Sequence, residues 1–169
     1  MATAVSGSRM VDMFLKIDGI DGESQDSKHK NEIEVQTYSF GSTQTGAQAS
    51  GGGGGSGKVQ MHDFHFTMKT SQASPKLFLH CANGKHIPKV VLTGRKAGGE
   101  QQEYQKITLS DVLVSSFQMS GAQGDSEIPV EQITLNFAKI EMEYKEQKPD
   151  GSLGGTVKTG WNLKQNAAA

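Results

Sequence analysis

The chain has 169 residues and a mass of 18.1 kDa, enough for one domain that buries a core without covalent staples. Lys and Arg number 17 against 18 for Asp and Glu, and no basic stripe is interleaved with aromatics, so the phosphate-neutralising footprint of a nucleic-acid binder is missing. The lone Cys81 cannot pair within the chain, no apolar run approaches the roughly 20 residues that cross a bilayer, and residues 1–10 lack the basic-then-apolar layout of a signal peptide.

Folding in the cytoplasm is therefore the expected setting, with no nucleic-acid partner and no membrane insertion, and any exit from the cell is expected to proceed without a cleaved leader. Along the chain the dominant signal is alternation. Met13, Leu15 and Ile17 share one face of a first strand. In a second, Ile33, Val35 and Thr37 share a face while Tyr38 and Phe40 point the other way.

Residues 52–58, read GGGGSGK, fit the first seven places of a phosphate-binding P-loop, but the eighth holds Val59 where Ser or Thr must bind Mg²⁺. A working P-loop also needs an apolar strand before it and a helix after it, whose N-terminal amides face the phosphates. The stretch before is small and polar. The stretch after, 59–68, places Phe64, Phe66 and Met68 at period two, which is a strand pattern. The glycine run therefore reads as part of a long loop, 42–57, to which residues without Cβ atoms lend freedom.

Residues 74–84 carry helix punctuation: Ser74 is expected as N-cap, Pro75 at the first helical position and Gly84 just past the end. Leu77 with Cys81 and Phe78 with Ala82 give i,i+4 apolar neighbours. Strands are expected at 87–96 and 104–109, joined across 97–99, and another at 112–120. The longest, 131–145, changes face: Ile133, Leu135 and Phe137 are odd, whereas Ile140, Met142 and Tyr144 are even. An extra residue, as a β-bulge or sharp bend, is expected near Ala138 and Lys139, with the strand serving two sheets. A final strand, 156–163, follows the turn at 149–151. Eight strands and one helix point to an antiparallel β-barrel, because closure removes exposed edges.

Chemistry is sparse. His62 and His65 lie three apart on a strand and face opposite sides, and His80, Cys81 and His86 match no zinc spacing. No G-x-S-x-G elbow occurs, and Asp111 and Asp125 are expected in loops with nothing to pair them. Lys139, Glu141, Glu143 and Lys145 line one side of the long strand as a solvated face or a subunit contact. No catalytic, cofactor or metal residue is assigned.

With the segments in place, the chain resembles the Hcp family, the haemolysin-coregulated proteins of the type VI secretion tube. The resemblance rests on 11–17 (VDMFLKI), 22–24 (GES), 57–59 (GKV), 63–64 and 66–67 (DF, FT), 73–75 (ASP), 84–86 (GKH) and 95–99 (RKAGG). It continues with 111–116 (DVLVSS), 135–140 (LNFAKI), 150–151 (DG) and 160–162 (GWN), all in family order. Residues 1–9 depart, since members begin near Met10. They read as an N-terminal extension ahead of a barrel domain at 10–163 and a flexible tail at 164–169.

The resemblance implies a mainly β fold, a two-sheet antiparallel barrel with one short α-helix. It also implies a homohexameric ring that stacks into a tube, moved by a contractile sheath on a baseplate behind a VgrG spike. The tube carries secreted effectors and needs no enzyme activity or cofactor. On this basis Gly51, Gly52, Gly53, Gly54 and Gly55, with Gln101, Tyr104 and Gly124, are expected at subunit or ring contacts. Thr37 and Ser39, small and polar, are expected on the channel wall. The tail-tube protein of a contractile phage-like particle is the alternative; a nucleotide hydrolase and a monomeric ligand-binding barrel are the rivals from other classes.

Overall fold

The computed structural model describes residues 11–44, 58–96 and 101–169, and ten strands and one helix lie among them. The strands are β1 (Val11–Ile17), β2 (Ile33–Ser39), β3 (Ser42–Gln44), β4 (Val59–Met61) and β5 (Phe64–Lys69). After α1 (Ala73–Asn83) come β6 (Ile87–Lys96), β7 (Glu103–Gln118), β8 (Val130–Gln147), β9 (Leu153–Asn162) and β10 (Ala167–Ala168). The large sheet runs β10-β9-β8-β5-β2-β1-β6-β7, and β7 pairs back onto β8. Six strands therefore close a barrel, and β9 and β10 extend from it along the far half of β8. All pairings are antiparallel.

Alternation produces the core. Phe64, Phe66 and Met68 of β5 are fully buried, as are Ile133 and Leu135 of β8, and Leu15, Leu92, Ile107, Leu109 and Val112 complete the same cluster. Each such aliphatic or aromatic side chain contributes about 1.5–3 kcal/mol on burial.

The second strand departs from the expected pattern. Val35 pairs with Met68 but Thr37 with Thr67, so β2 carries an extra residue between them. That bulge turns Tyr38 and Phe40 toward the core, where Tyr38 stacks on Phe64 at 5.8 Å, and leaves Thr37 and Ser39 exposed. Thr37 thus does not share a face with Val35.

The third expected strand is two. Val59 begins β4, as the alternation suggests, but β4 pairs with β3 in a separate ribbon. Two strands expected at 104–109 and 112–120 are one, β7, which runs unbroken through Asp111. Asp111 takes a left-handed φ of 52°, and its carboxylate receives Lys164 Nζ at 2.6 Å and meets His86 Nδ1 at 2.6 Å. It is a paired strand residue, not an unpaired loop residue. Lys164, His86 and their hydrogen bonds hold the Asp111 carboxyl below its usual range.

The expected change of face in β8 is real, but no extra residue causes it. Leu109 pairs with Ile140 and Val112 with Phe137 in unbroken register, and all four are buried. Both strands therefore switch faces together across the Asp111 and Ala138 rung. At this same point β8 exchanges β5 for β9 as its second neighbour. The register shift against β7 lies instead between Val114 and Ser116.

The helix starts one residue before Ser74, with Gln72 at the cap position and no side-chain cap bond. Ser74 lies inside the first turn, where its hydroxyl donates to the fully buried Glu131 at 2.7 Å. The other end is as expected: Gly84 adopts φ 67° and its N–H caps His80 O. Residues 164–169 fold back, with Ala167 and Ala168 pairing to β9 as β10.

Candidate functional surfaces

Four strands stand side by side on one wall of the barrel: residues 113–118 of β7, 130–137 of β8, β5, and β2. Their registers build continuous rungs. Thr37, Thr67, Gln132 and Gln118 form one; Ser39, His65, Thr134 and Ser116 form another. All eight side chains point away from the core, because their strand neighbours Tyr38, Phe66, Ile133 and Phe117 pack inward.

Hydrogen bonds tie the rungs across strands. Thr37 Oγ1 and Thr67 Oγ1 are 2.6 Å apart, and Thr67 Oγ1 accepts the Thr37 N–H at 3.1 Å. His65 Nδ1 meets Thr134 Oγ1 at 3.2 Å. Just beyond, Asp63 accepts from Ser115 Oγ at 2.8 Å and Asn136 Nδ2 at 2.9 Å. The result is a broad wall whose two central rungs carry hydroxyl, amide and imidazole groups. Thr37 and Ser39, expected on the channel wall from sequence, sit on it together; the other six on these rungs were not assigned to it. Their signal was the polar parity of β5 and β8, which needed the register to join it to β2.

The expected contact residues are not brought together. Tyr104 lies at the start of β7, edge-on to Tyr144 at 6.5 Å, with Lys96 Nζ 5.8 Å from its ring. Burial first, then Tyr38 and Tyr144, push its hydroxyl pKa up. Gln101 is exposed nearby. Gly124, with φ 88°, is in the loop after β7, at the other end of that strand. Gly51 to Gly55 lie outside the described residues.

A buried polar cluster went unread in the sequence. Arg95 on β6 is 2% exposed and donates to Asp26 at 2.7 and 2.9 Å and to Asp12 at 3.2 Å. It also lies 4.9 Å over the Phe14 ring, which stacks on His29 at 4.4 Å. His29 in turn contacts Glu32 and, at 2.9 Å, Glu103. Arg95 holds the Asp26 carboxyl far below the usual carboxylate range. This fastens the segment between β1 and β2 over the barrel. Among the described residues no group of three or more His, Cys, Asp or Glu could hold a metal ion, and no helix is long and apolar enough to cross a membrane.

Beyond the barrel, β8 and β9 form an arm with one apolar face: Met142, Tyr144 and Val157 are 41%, 51% and 70% exposed. Toward the barrel this face becomes a groove of about 370 Å³ between the arm and the β3-β4 ribbon, lined by Phe40, Met61, Ile140, Met142 and Trp161. Trp161 Nε1 is buried without a hydrogen-bond partner.

Comparison with known proteins agrees along nearly the whole chain. Residues 14–144 match the family described as "Type VI secretion system effector, Hcp". The chain is 52% identical over 161 residues to "Protein hcp1" of Pseudomonas aeruginosa, covering 94% of this chain and 99% of that one. The crystal structure of Hcp1 from Salmonella typhimurium superposes with a TM-score of 0.79 at 40% identity, covering 94% and 99%. A solved structure described as a type six secretion system protein gives 0.88 at 31% identity, covering 95% and 100%.

Proposed function

This chain belongs to the Hcp family of type VI secretion tube proteins, and from that premise we propose that six copies close a ring whose channel wall is the polar sheet carrying Thr37 and Ser39. Its role is structural, not enzymatic, and proteins of this family are secreted. In this reading rings stack into a tube behind a VgrG spike, a contractile sheath on its baseplate drives the tube, and effectors travel in the channel. Gly51 to Gly55 serve ring stacking, and Gln101, Tyr104 and Gly124 lie at subunit contacts.

The observation that carries the ring is the four-stranded wall itself. Beyond Val112, β7 pairs only with β8, and from Val35 onward β2 pairs only with β5. Two different strand edges thus stand free on opposite sides of one sheet, among the described residues. An unpaired edge invites another strand, and two unlike edges suit a head-to-tail contact that repeats until it closes. Because the four strands alternate in direction, rotation about an axis along them sets β2 of one copy antiparallel to β7 of the next. The wall's hydroxyls, amides and the His65 imidazole keep its outer face wetted.

Light scattering tests the assembly. Six copies of 18.1 kDa give about 109 kDa, with annular particles in negative stain. A monomer at high protein concentration overturns the reading.

A further inference from the structure

We propose that, in the ring, the apolar corner of α1 on one copy seats in the groove between the β3-β4 ribbon and the β8-β9 arm of the next. This rests on the ring reading and specifies which surfaces of neighbouring copies touch behind the channel wall.

Four observations converge. First, α1 shows solvent an apolar corner: Phe78 is 59% and Leu79 55% exposed, although Leu77 between the helix and the barrel is fully buried. Phe78 rests edge-on against Phe117 of β7 at 5.9 Å, so this corner flanks the free β7 edge on its core side. Second, the groove flanks the other free edge. Phe40, which follows β2 directly, forms part of its lining. An edge-to-edge approach of β7 and β2 from neighbouring copies therefore carries corner and groove toward each other.

Third, the end of the helix and the groove stand at one height. The helix ends at Gly84, and the chain enters β6 at Ile87 opposite Val112. Trp161 pairs with Ile140, itself opposite Leu109. Both thus flank the short stretch of β7 around Asp111. Fourth, charge is complementary: residues 73–86 carry Lys76 and Lys85 and no acid, whereas the apolar face of the arm continues to the exposed Glu146. Two unlike apolar surfaces are what a second copy requires, since one copy gives the corner and the next gives the groove.

The test uses the full chain with Leu79→Asp and, separately, Met142→Asp, both at exposed positions. Each variant is expected to lose the ring and run at monomer mass. Mixed in equal amounts they are expected to give a heterodimer of about 36 kDa, twice 18.1 kDa, because one retains an intact corner and the other an intact groove. Trp161 is the chain's single tryptophan, so its fluorescence reports on the groove directly. Its emission is expected to shift to the red in the Leu79→Asp variant, whose own groove residues are unaltered. Rings of wild-type mass in both variants, a mixture that stays monomeric, or an unshifted Trp161 emission each overturn this contact. If the wild-type chain is itself monomeric, the ring reading fails instead, which separates the two claims.

Discussion

The two faces of the β7-β8-β5-β2 wall are built by the same residues taken alternately, yet they obey different rules. On the inner face Phe64, Phe66, Met68, Ile133 and Leu135 are all at or near zero exposure, and shape decides which side chain fits. On the outer face Thr37, Ser39, Thr67, Gln132 and Thr134 need only be polar and compact, because water competes for each of their hydrogen bonds. The inner face makes the wall stable; the outer face leaves it free to serve as a surface. One residue crosses the division: Glu131 points inward, fully buried, and is satisfied by Ser74 at 2.7 Å and Thr70 at 3.0 Å.

Substitutions on the two faces should separate widely. Phe66→Ala removes a fully buried ring and should cost about 3–5 kcal/mol in urea unfolding; a loss below 1 kcal/mol would mean that the inner face is not the source of stability. Glu131→Ala tests the exception. It leaves the Ser74 hydroxyl in the first turn of α1 without its acceptor, while Thr70 keeps Pro129 O at 3.2 Å, and should cost about 1–3 kcal/mol, with exchange of the first helical amides faster than elsewhere in α1. Thr37→Val keeps the shape of an outer-face residue and deletes its hydroxyl. It should change stability by less than about 1 kcal/mol and leave the particle mass as in wild type. A large loss there would show that the outer face also holds the barrel together.

How much of this was legible depended on whether a signal was local. The apolar parity of β5, the punctuation at Gly84 and the change of face in β8 are written within a few residues each, and all three stand in the structure. The bulge in β2 was not readable, since Ile33, Val35 and Thr37 alternate well in isolation; only the demand that Tyr38 and Phe40 pack on Phe64 shows that a residue must be inserted. Asp111 misled for a related reason. It looked like a loop residue between two strands, but its left-handed backbone bends one continuous strand. The Arg95 cluster draws on positions 12, 14, 26, 29, 32, 95 and 103, whose separation leaves no spacing to read. Of the outer wall, Thr37 and Ser39 could be named, while Thr67, Gln132, Thr134, Ser116 and Gln118 had to wait for the register.

The joint change of face at Asp111 and Ala138 also restricts how such a chain can vary in length. Leu109 with Ile140, and Val112 with Phe137, keep step only while both strands hold the same two residues between their buried positions. Deleting one residue from either strand alone would turn every later side chain to the opposite face. Between these buried positions insertions and deletions are therefore expected as matched pairs, one in each strand, unless a bulge absorbs the extra residue as it does between Val114 and Ser116. The loops beyond the ends of the two strands are free to lengthen or shorten singly.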